Sequence, residues 1–123
     1  MQPGKINLTD AIKHLIVIFA AKSSDRRTLD ELHQLIGDRN AWHSAHDLFN
    51  RVRQKSVEAN RRGDIKLESQ FSFEEACAKT LYNLGRYPAA FDPDSAYWIV
   101  PNALAAARQL GIDEGKIISA VIS

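Results

Sequence analysis

The longest regular pattern in this sequence is the spacing of apolar residues between positions 40 and 62. At about 100° per residue of an α-helix, the apolar side chains of this stretch fall within an arc of about 120°. They are Trp42, Ala45, Leu48, Phe49, Val52 and Ala59. Charged residues, among them Arg51, Lys55 and Arg62, fall on the other side. The pattern predicts a long amphipathic helix over residues 40–62, stopped by Gly63 and buried along one face.

Two shorter segments before this stretch have the same helical spacing. Apolar residues recur at intervals of three and four in residues 8–22 and again in residues 25–36. Ser24 is placed to cap the second of these helices, and Gly37 is placed to stop it. The linker between them is only a few residues long, which favours an antiparallel helical hairpin.

The second half of the chain holds most of the aromatic residues, because seven of the ten lie between positions 71 and 98. Ser72 and Glu75 have the spacing of a capping box, which predicts a helix over residues 72–84. The polar stretch 64–70 before it is predicted to be a crossing loop or a short irregular turn.

Beyond this helix, two prolines and the string FDPD predict an irregular connection over residues 86–95. Pro101 suits the first turn of a helix over residues 101–110. Asp113 can cap a last short helix, which we expect to pack against the first one. No segment alternates as a strand does. The sequence therefore predicts an all-α fold, a compact bundle of about six helices forming a single domain over residues 1–123.

The cysteine content and the length of the apolar runs indicate which cellular compartment to expect for the protein. Cys77 is the single cysteine, so neither an internal disulfide nor a cysteine metal pair is predicted. The apolar run at residues 15–21 is too short to span a membrane. We therefore expect a cytoplasmic protein with no membrane association.

The charge is balanced overall but not along the chain. The formal net charge is +1, which gives no strong global attraction for nucleic acid or anionic lipid. Residues 1–63 carry a net charge of +4 and residues 64–123 carry −3. If the two halves pack side by side, the second half can offer an acidic side to a basic partner.

Few residues in this chain suggest catalysis or a cofactor. His43 and His46, with Asp47, lie one turn apart, but they lack the spacing of HExxH and a further ligand. Cys77 has no histidine close in sequence to act as its base. Asp92 and Asp94 in FDPDS have the composition of a turn and a helix cap more than that of a calcium loop. The sequence therefore predicts no catalytic residue, no metal site, no cofactor and no enzyme, and a small enzyme using His43, His46 and Asp47 is the last-ranked alternative.

A nucleic-acid-binding function remains as an alternative. The helices predicted on either side of Gly37 can imitate a helix-turn-helix, and the face of helix 40–62 is basic. Its basic residues are Arg51, Arg53, Lys55, Arg61 and Arg62. They lie towards the far end of the candidate recognition helix, and Glu58 interrupts them. A solvated helix face is the commoner explanation of such a pattern.

The strings FSFEEACAKTLYNL and FDPDSAYWIVPNALAAARQLGI, together with the size and helical composition, resemble the small helical immunity proteins of bacterial contact-dependent growth inhibition systems. The resemblance covers residues 71–112 and transfers no individual functional residue. It implies a non-enzymatic protein of the cytoplasm that binds and blocks the nuclease domain of a cognate toxin. Such inhibitors often present an acidic surface to a basic cleft.

The leading hypothesis is therefore a non-catalytic protein-binding module that neutralises a toxin. Acidic and aromatic residues of the second half are its candidate contacts, since Tyr and Trp are common at interface hot spots. They are Glu68, Asp92, Asp94, Tyr97 and Trp98. The sequence identifies neither the partner nor the oligomeric state.

Overall fold

The fold is all-α, as predicted. A computed structural model describes residues 8–36, 38–86 and 99–122, and no strand occurs among them. The elements are α1 (Leu8–Ala20), α2 (Arg27–Leu35), a 3-10 helix (Arg39–Ala41), α3 (Trp42–Arg61), α4 (Ile65–Arg86), α5 (Ile99–Leu110) and α6 (Glu114–Ile122).

The helices α3 and α4 form a hairpin whose turn is built by a glycine. Gly63 has a φ of 72°, a left-handed conformation that glycine adopts without steric cost. Its N–H donates to Asn60 O at 3.0 Å, and the N–H of Asp64 donates to Ala59 O at 2.9 Å. These two bonds form a Schellman motif, which satisfies the last carbonyls of α3. The turn is so short that α3 and α4 pack against each other as antiparallel neighbours.

The helix α4 begins seven residues before the predicted start at Ser72, so the predicted crossing loop over residues 64–70 is wrong. Asp64 caps α4, because its Oδ1 accepts the N–H of Leu67 at 3.1 Å. Glu68 N–H donates to the Asp64 carbonyl at 2.9 Å. The sequence Gly63-Asp64 thus supplies a helix stop and a helix cap at successive positions, and the chain reverses with no loop.

The other helix ends show smaller differences from the prediction. The helix α2 starts at Arg27 with no Ser24 cap, because Asp25 Oδ1 accepts the Arg27 N–H at 3.2 Å instead. The predicted stop at Gly37 lies outside the described residues. Pro101 lies in the first turn of α5 as predicted, although this helix starts at Ile99. Asp113 Oδ1 accepts the N–H of Gly115 at 3.2 Å, so the predicted cap of α6 is confirmed.

The core is organised around α4, which packs against α2, α3 and α5. Its buried residues, from Gln70 to Leu81, cover more than half of the helix circumference. At the centre, the rings of Phe73 and Phe19 from α1 lie 4.4 Å apart between centroids, and both are fully buried. The helix α6 packs against α1 as predicted, and it also contacts α5.

No helix in the described part of the chain is long and apolar enough to cross a membrane.

We expect Phe73→Ala to lower the free energy of unfolding by about 3–5 kcal/mol, because it removes a fully buried ring and leaves a cavity. Urea denaturation followed by circular dichroism measures this change through the midpoint and slope of the transition. The control is Val57→Ala on α3, whose side chain is 48% exposed and should change stability by less than about 0.5 kcal/mol. Equal losses in both variants would contradict the assignment of Phe73 to the centre of the core.

Candidate functional site

An aromatic and basic cleft lies at the end of the α3–α4 hairpin opposite Gly63. It encloses a volume of about 350 Å³. Its lining residues are Trp42, His43, His46, Asp47, Tyr82 and Arg86. We call this surface the Trp42–Tyr82 cleft.

The rings of the cleft contact one another across the two helices. The Trp42 and Tyr82 rings meet edge to face with centroids 5.9 Å apart, and the His46 ring lies 5.2 Å from that of Tyr82. The His43 ring stacks on Trp42 at 3.5 Å. Arg86 places its guanidinium carbon 4.5 Å from the centre of the Trp42 ring. This last contact has the geometry of a cation–π interaction.

The helical repeat explains why these side chains converge. Trp42 and His46 are one turn apart on α3, and Tyr82 and Arg86 are one turn apart on α4, so each pair shares a helix face. The buried residues Ala45 and Leu81 lie beside them in the interface of the two helices. The cleft is therefore held by two long helices packed along their length, and its rings need little ordering before they contact a partner.

The cleft does not assemble a metal site. Both imidazoles, His43 and His46, are exposed. Within the described ranges, no group of three or more His, Cys, Asp or Glu side chains is placed to hold a metal ion. The arrangement instead offers flat ring faces bordered by hydrogen-bond donors.

The predicted partner contacts are only partly described. Glu68 is half-buried in the first turn of α4, where its Oε1 accepts a hydrogen bond from Asn60 Nδ2 at 2.9 Å. It therefore braces the hairpin turn. Asp92, Asp94, Tyr97 and Trp98 lie outside the described residues, as does the predicted irregular connection from residue 87 onward.

The basic face of α3 is partly neutralised by carboxylates from the segment that precedes it. Arg51 donates from Nη1 and Nη2 to the two oxygens of Glu31 on α2, at 3.0 and 2.6 Å. These bonds lower the pKa of Glu31 and raise that of Arg51. Lys55 Nζ lies 3.6 Å from Asp25 Oδ2 and 5.6 Å from the centre of the Phe71 ring. Two of the five basic residues of this face thus hold the region of α2 against α3.

Cys77 is a core residue. It is fully buried in the middle of α4, and burial raises the pKa of its thiol well above the usual value, with the nearby Glu74 adding to the shift. Both effects favour the neutral thiol over the thiolate, which is the nucleophilic form. In this environment Cys77 behaves as a small apolar side chain of the core.

A buried polar network joins α4 to the turn between α1 and α2. Gln70 Nε2 donates to the Asp25 carbonyl at 2.9 Å and to Glu74 Oε2 at 2.8 Å. Gln70 Oε1 accepts the Ser23 hydroxyl at 2.6 Å. Gln70 and Glu74 are both fully buried. The network therefore fixes the α1–α2 turn to the central helix through one amide side chain.

Within this network, the carboxyl of Glu74 has a strongly raised pKa. Burial raises the pKa of its carboxyl to about 7, against the opposing effects of Thr28, Gln70 and Lys55. The negative charge of Asp25 raises the pKa further. Among the described residues, neither Glu74 Oε1 nor the buried Thr28 Oγ1 has a hydrogen-bond partner of ordinary geometry. The carboxyl is thus poorly prepared to carry a charge.

Two other depressions are less distinctive. One, of about 230 Å³, lies among α1, α2, the 3-10 helix and α4 and is lined mainly by aliphatic residues. The other is a wide, shallow groove between α1 and α6, beside Val17, which is 59% exposed. Neither groups tryptophan and tyrosine with arginine as the Trp42–Tyr82 cleft does.

Sequence reasoning missed the cleft because its two halves come from different helices. Trp42 was assigned to the buried arc of α3, and it is in fact half-buried at the rim. The capping box at Ser72 also misplaced the start of α4. A signal did exist in the one-turn spacing of Tyr82 and Arg86 at the end of α4, but only the packing of α3 against α4 shows what they meet.

We expect Glu74→Gln to stabilise the protein above neutral pH. The unfolded chain loses the proton near pH 4.5, whereas the folded protein keeps it until about pH 7, so wild-type stability falls as the pH rises through this window. A shift of this size corresponds to about 3 kcal/mol. The variant should have about wild-type stability at pH 5 and exceed it by about 2–3 kcal/mol at pH 8.

Denaturant unfolding of both proteins at the two pH values measures this difference. The matched control is Glu75→Gln, which removes the carboxylate of the adjacent, only half-buried residue and should keep the wild-type pH dependence. If wild type and Glu74→Gln depend on pH in the same way, the buried carboxyl is not the cause.

Comparison with known proteins yields no match, since no family model fits the sequence and neither a curated protein nor a solved structure is significantly similar to it.

Proposed function

We propose that this chain is a non-catalytic protein-binding module, an immunity protein that binds and neutralises a cognate bacterial toxin of the nuclease type. The observation that supports protein binding is the Trp42–Tyr82 cleft, where tryptophan, tyrosine and arginine meet at the surface. These three residue types are the most enriched at the hot spots of protein interfaces.

The cleft also has the rigidity that a hot spot benefits from. Its rings already contact each other, and Arg86 is already stacked on Trp42. Aromatic side chains supply a large contact area with few rotatable bonds, so little conformational entropy is lost when a partner packs against them. A partner that covers the cleft would remove these ring faces from water.

The predicted contacts in the connection after α4 follow the cleft in the sequence. Arg86, the last residue of α4, is followed directly by residues 87–98. That segment contains Asp92, Asp94, Tyr97 and Trp98. We retain these four residues as candidate contacts. Glu68 is a weaker candidate, because its carboxylate is engaged by Asn60 at the opposite end of the hairpin.

The nuclease class of the toxin rests on the resemblance of residues 71–112 to immunity proteins and on the acidity of the second half. Several carboxylates of that half already have roles within the fold. Asp64 caps α4, Glu74 is buried, and Glu114 pairs with Arg108. The acidic contribution to a basic nuclease cleft is therefore assigned to Asp92 and Asp94.

Co-expression with the product of a neighbouring toxin gene is expected to give a stable complex and to rescue growth. Alanine at His46 or Arg86 should weaken the complex by about tenfold or more, because each removes part of the cleft without entering the core. Titration calorimetry on the purified pair measures the dissociation constants. A double variant, Asp92→Asn with Asp94→Asn, tests the acidic contacts separately.

The matched control is Arg53→Ala, which removes an exposed cation of α3 outside the cleft and should leave affinity within about twofold. Circular dichroism confirms that each variant is folded. The absence of any complex with neighbouring gene products would argue against the immunity function. If the cleft variants leave the dissociation constant unchanged, the binding surface lies outside the cleft.

The alternative, nucleic-acid binding through the basic face of α3, retains three exposed cations, Arg53, Arg61 and Arg62. Since Arg51 and Lys55 are paired with carboxylates, we expect no retention of the protein on heparin or duplex DNA columns at low ionic strength. Retention that falls steeply with salt, and that disappears in a variant with Arg61→Ala and Arg62→Ala, would support the alternative instead.

A further inference from the structure

The buried network around Glu74 has a consequence for motion that is independent of the proposed binding function. We propose that the proton on the Glu74 carboxyl controls the docking of the α1–α2 turn and α2 onto α4. With the proton in place the segment is closed, and loss of the proton favours a locally open form of residues 21–36.

The surroundings of Glu74 give an ionised carboxylate little compensation. On α4, Gln70 donates one hydrogen bond to Oε2, and the buried Cys77 lies one turn away. From the turn, Asp25 brings a like charge. From α2, the Thr28 hydroxyl favours the charged carboxylate, but it forms no hydrogen bond of ordinary geometry. From α3, Lys55 is the favourable charge, and it is already shared with Asp25 at 3.6 Å. A buried charge with one donor is costly.

The network lies at the contact of two elements that differ in how firmly they are held. The helix α4 has 22 residues, and α3 and α5 both pack against it. The helix α2 has nine residues, and only Thr28, Leu29 and Leu32 are buried. Elements with few buried contacts open locally before the whole protein unfolds. The less costly way to hydrate an ionised Glu74 is therefore to lift the α1–α2 turn and α2, not to displace α4.

Gln70 transmits the change from the carboxyl to the turn. Its amide nitrogen donates to both Glu74 and the Asp25 carbonyl, and its oxygen accepts from Ser23. Reorganisation of the Glu74 carboxylate towards water disturbs the same amide that anchors the turn. Because Asp25 Oδ1 also accepts the Arg27 N–H at 3.2 Å, the start of α2 is coupled to this event.

Native-state hydrogen exchange of the full-length protein at pH 5.5 and pH 7.5 tests the proposal, after correction for the intrinsic exchange rates. Amides of α2 should lose roughly tenfold or more of their protection at the higher pH, because the open form binds the proton less tightly than the closed form. Amides of α2 should also exchange through an opening of lower free energy, and with less dependence on added denaturant, than amides in the middle of α3 and α4, which exchange through global unfolding. The same opening free energy and the same denaturant dependence for α2, α3 and α4 would indicate only global unfolding and would overturn the proposal.

Three variants locate the responsible proton. In Glu74→Gln, protection of α2 should no longer depend on pH, whereas Glu75→Gln should behave as wild type. His33 is an exposed titratable residue of α2 itself, so His33→Gln must keep the effect. If the protection of α2 still depends on pH in Glu74→Gln, or no longer depends on pH in His33→Gln, the assignment to Glu74 is refuted. Even if a variant fails to fold, the comparison of α2 with α4 amides in the wild-type protein shows whether the opening is local.

Discussion

The burial of α4 over more than half of its circumference is the constraint on which the rest of this fold depends. A helix buried so widely needs neighbours on several sides, and α2, α3 and α5 provide them. The Gly63–Asp64 turn makes this possible, because it ends α3 and caps α4 within one reversal. The hairpin formed in this way positions both Phe73 in the core and Tyr82 in the cleft.

Wide burial also forces α4 to carry polar groups inside. Thr80 solves this locally, since its hydroxyl donates to the Ala76 carbonyl at 2.9 Å. Gln70 solves it by binding the α1–α2 turn, where its amide nitrogen donates to the Asp25 carbonyl and its amide oxygen accepts from the Ser23 hydroxyl. Glu74 is only half satisfied, and an incompletely paired buried carboxyl costs stability as soon as it ionises. The same helix therefore supplies part of the rigid cleft and, in Glu74, an incompletely hydrogen-bonded carboxyl in the core.

The sequence predicted the helical class, the amphipathic α3 and the capped α6 because each depends on local chemistry within a few residues. It misplaced the start of α4 since residues 64–70 look polar in isolation. In the fold, Gln70 is buried by its hydrogen bonds to residues distant in sequence, and Leu67 rests partly on the core. The capping box at Ser72 was a false signal within a continuous helix. Glu74 and the Trp42–Tyr82 cleft depend on which helices become neighbours, and no local pattern encodes that.

The location of the cleft determines what kind of recognition it can support. It lies where α3 begins and α4 ends, so the 3-10 helix precedes it and residue 87 follows it in the sequence. The Gly63 turn lies at the opposite end of the α3–α4 hairpin. The two ion pairs between α3 and the α2 region neutralise cations that would otherwise favour phosphate. Aromatic faces with one stacked guanidinium remain, and such a surface gains affinity mainly from desolvated area. Under the proposed function, Asp92 and Asp94 are the candidates for charge complementarity, which governs association rate and partner choice more than affinity.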